Sequence, residues 1–113
     1  GVLVGPHAID TFHRMHADVA ILSGSGISED GLYNSHALLV DIQRAMIAGA
    51  AKVIFCLDHT KFGRRSTFFL SDFSAIDVVV TDAQAPEPLV RELRAKGLEV
   101  VVAPTPTPSA TAG

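Results

Sequence analysis

Four short apolar runs rich in β-branched residues punctuate the chain, at positions 18–23, 52–57, 77–81 and 98–103. Each is apolar continuously rather than at every second position, which is the pattern of strands covered on both faces. Between the runs lie stretches with helical spacing. Positions 6–15 put Pro6 in a first turn and space Ile9, Phe12 and Met15 three apart. Positions 35–48 begin at Ser35, a capping-type residue, and carry Leu38, Leu39, Ile42 and Met46 as the face expected to enter the core. Asp41 and Gln43 fall opposite that face, on the loop side or on the surface. Positions 86–96 open on prolines, align Leu89, Val90 and Leu93, and stop at Gly97, a usual helix-ending residue. Strand, helix, strand, a short irregular piece, strand, helix and strand predict parallel strands joined by right-handed crossovers. The expected fold class is α/β, a mostly parallel sheet with helices on both faces.

In open parallel sheets the loops at the carboxyl ends of the strands converge on the ligand crevice. Three stretches occupy such loops: positions 23–31, 58–63 and 81–84. The first is glycine-rich, with Gly24, Gly26 and Gly31. Its spacing matches neither a GxGxxG that runs straight into a helix nor GxxxxGK[ST]. Two readings remain: backbone amides that cradle an anion, or a long connection whose glycines take positive φ. The second stretch sets Asp58, His59, Thr60 and Lys61 in a row where an apolar run ends. Asp58 and Thr60 suit the cap of a turn, and Lys61 suits either a bound phosphate or carboxylate or plain solvation. Arg64 and Arg65 follow as a pair expected to be salt-bridged.

Composition narrows the field. A chain of 113 residues, 48% hydrophobic, is sized for one domain with its own core. Nine basic residues against twelve acidic ones give a net charge of -3, and no long basic run is present, so this chain alone is not expected to grip DNA. The single cysteine, Cys56, rules out a disulfide within the chain or a thiol-built zinc cluster and fits a reducing cytoplasm. No apolar run approaches the ~18 residues of a membrane span, and no secretory leader pattern is seen. Positions 104–113, rich in Pro, Thr and Ala, are expected to be a disordered tail, leaving 1–103 as the domain. His13 and His16 stand three apart without a third ligand tied to them, and no GxSxG elbow occurs, so neither a metal, nor a cofactor, nor nucleophilic catalysis is implied.

Several of these residues together resemble a known family. Val4, Gly5 and Pro6, the run at 17–22 with its glycine loop, Asp30-Gly31-Leu32, Gln43 to Met46, Asp58-x-Thr60-Lys61-Phe62-Gly63, and Ile76-Asp77-x-x-x-Thr81-Asp82 fall in register with the C-terminal sensor domain of DeoR-type bacterial transcriptional regulators. The resemblance covers residues 1 to about 103. It implies a fold similar to ribose-5-phosphate isomerase and the CoA-transferase group. It further implies a small-molecule effector, a phosphorylated sugar or related metabolite, whose binding alters how an N-terminal helix-turn-helix domain holds DNA. Asp58, Thr60 and Lys61 would then be ligand-side groups, with Gly24, Ser25 and Gly26 beside them. Two departures argue against turnover: Ser25 stands where the family usually has an acid, and Gln43 where it has a lysine. The family pattern also places part of the sensor domain ahead of residue 1. The expectation is therefore an incomplete sheet with exposed apolar surface, covered by another copy in a homo-oligomer.

Overall fold

The structure, a computed structural model, describes residues 17–104. Its main sheet has four parallel strands in the order β1-β4-β6-β7: β1 Ala17–Ser23, β4 Ala50–Cys56, β6 Val78–Asp82 and β7 Glu99–Ala103. Two helices accompany it, α1 Ala37–Gly49 and α2 Glu87–Ala95. The α/β class, the four expected strands and the second and third expected helices are all present to within two residues at each end. The helix expected at 6–15 and the tail at 105–113 lie outside the described residues.

A second, antiparallel sheet occupies stretches read above as loop or irregular. It comprises β2 Gly26–Ser28, β3 Gly31–Asn34 and β5 Phe68–Ser71, in the order β2-β3-β5. The glycine-rich loop is thus a hairpin, turned at Glu29 and Asp30. Gly31 has φ +151 and a Cβ there would lie 2.2 Å from the Ser71 carbonyl oxygen, so this hairpin can close on β5 only with glycine. The outer side of β5 is occupied as well. Arg44 of α1 donates to the carbonyls of Phe69 (2.5 Å) and Leu70 (3.1 Å), which keeps that edge from pairing elsewhere.

Successive strands of the main sheet step in one direction, and right-handed crossovers that do so place their connections on one face. The core agrees: Val40 of α1 and Val90 and Leu93 of α2 join Leu22, Val53, Phe55, Val79 and Val100 in a single cluster with Ile27 and Leu32 of the hairpin. Both described helices therefore cover the same face. On the other face Ile21 is 67% exposed, Val19 47% and Val101 42%, and Cys56 is exposed beside half-buried Ile54. The expected exposed apolar surface is real among the described residues.

Helix α1 departs from its predicted orientation. Leu38 is exposed, whereas Val40, Ile42, Gln43 and Ala45 are buried. Its cap residue is His36, without a side-chain bond, and Ser35 instead donates its backbone N–H to Asn34 Oδ1 at 2.8 Å. Gln43, only 5% exposed, turns inward together with the apolar Val40, Ile42 and Ala45. Its Nε2 donates to the Ser23 carbonyl at 2.8 Å, and its Oε1 accepts from Asn34 Nδ2 at 3.0 Å. One amide thereby ties the end of β1, the end of β3 and α1. Replacing Gln43 with Ala should destabilise the chain by about 1–3 kcal/mol in urea unfolding, because a buried amide and carbonyl lose their partners. Asp41→Ala, one turn-position away on the exposed side, should stay within about 0.5 kcal/mol. Equal effects at both positions would show that Gln43 is not the tie.

Candidate functional site

Strands β1, β4 and β6 run parallel, so their carboxyl ends lie side by side, with Ser23 paired to Cys56 and Cys56 to Val80. After β4 the buried Leu57 anchors the chain by donating its N–H to the Val80 carbonyl at 3.0 Å. The polar row that follows then folds into a single 3-10 turn, His59–Lys61. Asp58 caps it: Oδ1 accepts from the Thr60 N–H at 2.8 Å and also from the Thr60 hydroxyl. These bonds from Thr60 hold the Asp58 carboxyl below its ordinary range, with partial burial opposing and the Lys61 and His59 charges assisting. Lys61 is half-buried and makes no ion pair among the described residues.

The turn is clamped from β6. Asp82 Oδ2 accepts from the His59 backbone N–H at 3.0 Å and lies 2.9 Å from His59 Nδ1. Its other oxygen accepts from the Gln84 N–H at 2.8 Å, which shapes the loop after β6. Both His59 bonds hold the Asp82 carboxyl below its ordinary range. This pair joins the two stretches that carried the family resemblance, and neither member was among the candidate ligand residues. The available signal was positional: His59 and Asp82 follow neighbouring parallel strands, so side chains at the two ends meet. Thr81, buried next to Asp82 in sequence, has a hydroxyl without a partner among the described residues.

Gly24, Ser25 and Gly26 do come alongside this turn, though as structure. Ser25 donates its N–H to the Tyr33 carbonyl at 2.9 Å, inside the hairpin. A Cβ at Gly26 would stand 2.4 Å from the Arg64 carbonyl oxygen, and Gly63 donates to the Ile27 carbonyl at 2.8 Å. Glycine at 26 is thus required by the close approach of the 62–64 backbone. Of the loop's three glycines only Gly31 takes positive φ, which corrects the expectation for the other two. Arg65 reaches Glu29 (3.8 Å) and Asp30 (3.7 Å) across exposed surface, while Arg64 forms no ion pair among the described residues.

Two concavities lie elsewhere. A groove of about 300 Å³ between α1 and β5 is lined by Asp41, Arg44, Phe68 and Phe69. A cleft of about 10 Å³ between the hairpin and α2, lined by Ile27, Phe62, Leu93 and Lys96, has room for no more than a water. Neither is bordered by Asp58, Thr60 or Lys61. Among the described residues no three His, Cys, Asp or Glu side chains are grouped to hold a metal, and no helix is long and apolar enough to cross a membrane.

Comparison with known proteins bears on this surface. Residues 1–83 match the DeoR C terminal sensor domain, a span that contains both the β4 turn and Asp82. The HTH-type transcriptional repressor GlcR of Bacillus subtilis is 31% identical over 100 residues, 88% of this chain and 39% of that protein. The glycerol-3-phosphate regulon repressor of Escherichia coli is 32% identical over 96 residues, 82% of this chain and 37% of that protein. The HTH-type transcriptional regulator UlaR of Salmonella arizonae is 28% identical over 79 residues, 70% and 32%. The chain spans roughly a third to two fifths of the length of these relatives, which are named as regulators rather than enzymes.

The clamp predicts a pH dependence. Because the folded Asp82 carboxyl titrates below its unfolded value of about 3.9, its contribution is present above about pH 4 and is lost as pH falls through the folded value. The stability gap between the native chain and Asp82→Asn, read by urea unfolding, should be open at about pH 7 and narrow as the pH is lowered below about 4. A gap that does not narrow would mean that the His59 bonds do not favour the ionised carboxylate.

Proposed function

The chain belongs to the DeoR C-terminal sensor domain family, and from that premise we propose that it is the effector-sensing part of a DeoR-type transcriptional regulator of carbohydrate metabolism. The effector is a phosphorylated sugar or a related metabolite, a class consistent with the names of the glycerol-3-phosphate regulon repressor and its kin. It binds at the carboxyl ends of β1, β4 and β6. Lys61 supplies positive charge, and Asp58 and Thr60 order the turn and offer oxygens to hydroxyl groups. Gly24, Ser25 and Gly26 hold the neighbouring backbone close. Sensing needs no chemistry: the effector binds two conformations with different affinity, and that difference changes how a helix-turn-helix domain of the whole regulator holds its operator. The regulator acts in the cytoplasm, where metabolite and operator meet.

The observation that carries this reading is the family match across the segment bearing Asp58 and Lys61. It is tested by a thermal-shift screen of the whole regulator against sugar phosphates and free sugars. A ligand at 100 times its dissociation constant stabilises by about 2.7 kcal/mol, a rise on the order of ten degrees. The rise should be absent from Lys61→Ala. No rise for any compound, with the regulator still binding DNA, would leave Lys61 as a solvated surface charge.

The uncovered face of the main sheet supports self-association through Val19, Ile21 and Val101. Light scattering should give the mass of a dimer or larger assembly, and Ile21→Asp should reduce it towards the monomer. A monomer at every concentration tested would remove the homo-oligomer from this account.

A further inference from the structure

We propose that His59, held in place by Asp82, is itself an effector-contacting residue whose Nε2 edge binds a phosphate or carboxylate oxygen. This rests on the effector-site reading above and adds to it a side chain that was not among the candidate ligand residues. Asp82 Oδ2 lies 3.0 Å from the His59 backbone nitrogen and 2.9 Å from its Nδ1. A carboxylate oxygen only accepts, so Nδ1 carries a proton and Nε2 is the edge left for another partner. No partner of Nε2 is found among the described residues.

Backbone and ring of one residue thus grip one oxygen, which restrains the ring before any ligand arrives. A donor already oriented loses less freedom on binding than a mobile one. Exposure agrees with an outward-directed edge: the His59 side chain is 37% exposed, and the Asp82 side chain behind it is 24% exposed. The charged groups around the ring are Asp82 from β6 and Asp58 and Lys61 from its own turn. Asp58 is engaged with Thr60 and Asp82 with Nδ1, so the unengaged groups are Nε2 and the Lys61 ammonium. Histidine changes charge within the physiological range, and only its protonated form donates from both nitrogens. An anion at this edge therefore binds more tightly as the ring takes up its proton.

The test is calorimetric titration of the 113-residue chain with inorganic phosphate and with glycerol 3-phosphate, at about pH 6 and about pH 8. Native chain, His59→Gln, Asp82→Asn and Lys61→Ala are compared at each pH, because a phosphate monoester also titrates in this window. His59→Gln should bind about tenfold more weakly than the native chain at the lower pH, as expected for a hydrogen bond between charged groups. Asp82→Asn, a change in a positioning residue, should weaken binding at the lower pH by a smaller factor. Binding by His59→Gln equal to native at both pH values overturns the inference; if Lys61→Ala is weakened in the same series, the effector-site reading stands without it. If neither anion binds the native chain, the inference is overturned, and the effector-site reading is decided by the thermal-shift screen of the whole regulator. Should the variants not fold, 15N shifts of the native imidazole decide: movement of Nε2 on adding either anion supports the contact, and movement of only the 58–61 amides overturns it.

Discussion

A parallel sheet whose right-handed crossovers all step the same way carries those connections on one of its faces, and the architecture of the described residues follows from that constraint. Both described helices and the small antiparallel sheet gather on one side, where Phe55, Val79 and Leu32 are wholly buried. The same winding brings the carboxyl ends of β1, β4 and β6 side by side. It also leaves Ile21 and Val101 facing outward, although their runs are as apolar as those of a doubly covered sheet. The uncovered face and the polar end are consequences of one topology.

Within that frame, polar groups do much of the positioning. Gln43 connects β1, β3 and α1, Arg44 occupies the β5 edge, and Asp82 clamps the turn that follows β4. Each joins elements distant in sequence through bonds that fail if one partner moves by more than about an ångström. The family's lysine at the Gln43 position would bring a charge into a site that is 5% exposed here. An amide suits this site better, because it both donates to Ser23 and accepts from Asn34 without the cost of desolvating a charge. Gln43 therefore belongs to the framework rather than to the ligand surface.

The 58–61 turn has the geometry of one of the two readings that its residue types left open and is compatible with the other. It is a capped turn, with Asp58 bonded to Thr60, and it also sits at the strand end where ligands of such sheets bind. Capping and binding are compatible, since ordering the backbone fixes where Lys61 and His59 project. A contact surface of this kind suits a sensor, which needs a binding energy that depends on conformation and no reacting group.

Continuous β-branched runs, helical spacing and the stop at Gly97 determined, by sequence alone, the α/β class, the four parallel strands and both described helices, because these patterns report local burial period and backbone preference. The order of residues around Asp58 and Ile76 determined the family. Tertiary structure alone decided the rest. Strands β2, β3 and β5 are too short to show a period, and they come together where Tyr33 and Phe69 pack edge to face and Gly26 and Gly31 let backbones meet. The inward face of α1 combines Val40, Ile42 and Ala45 with one buried amide and leaves Leu38 outside. The meeting of His59 with Asp82, 23 residues apart, depends on the register of β4 against β6, and register is a property of paired strands that neither strand carries by itself.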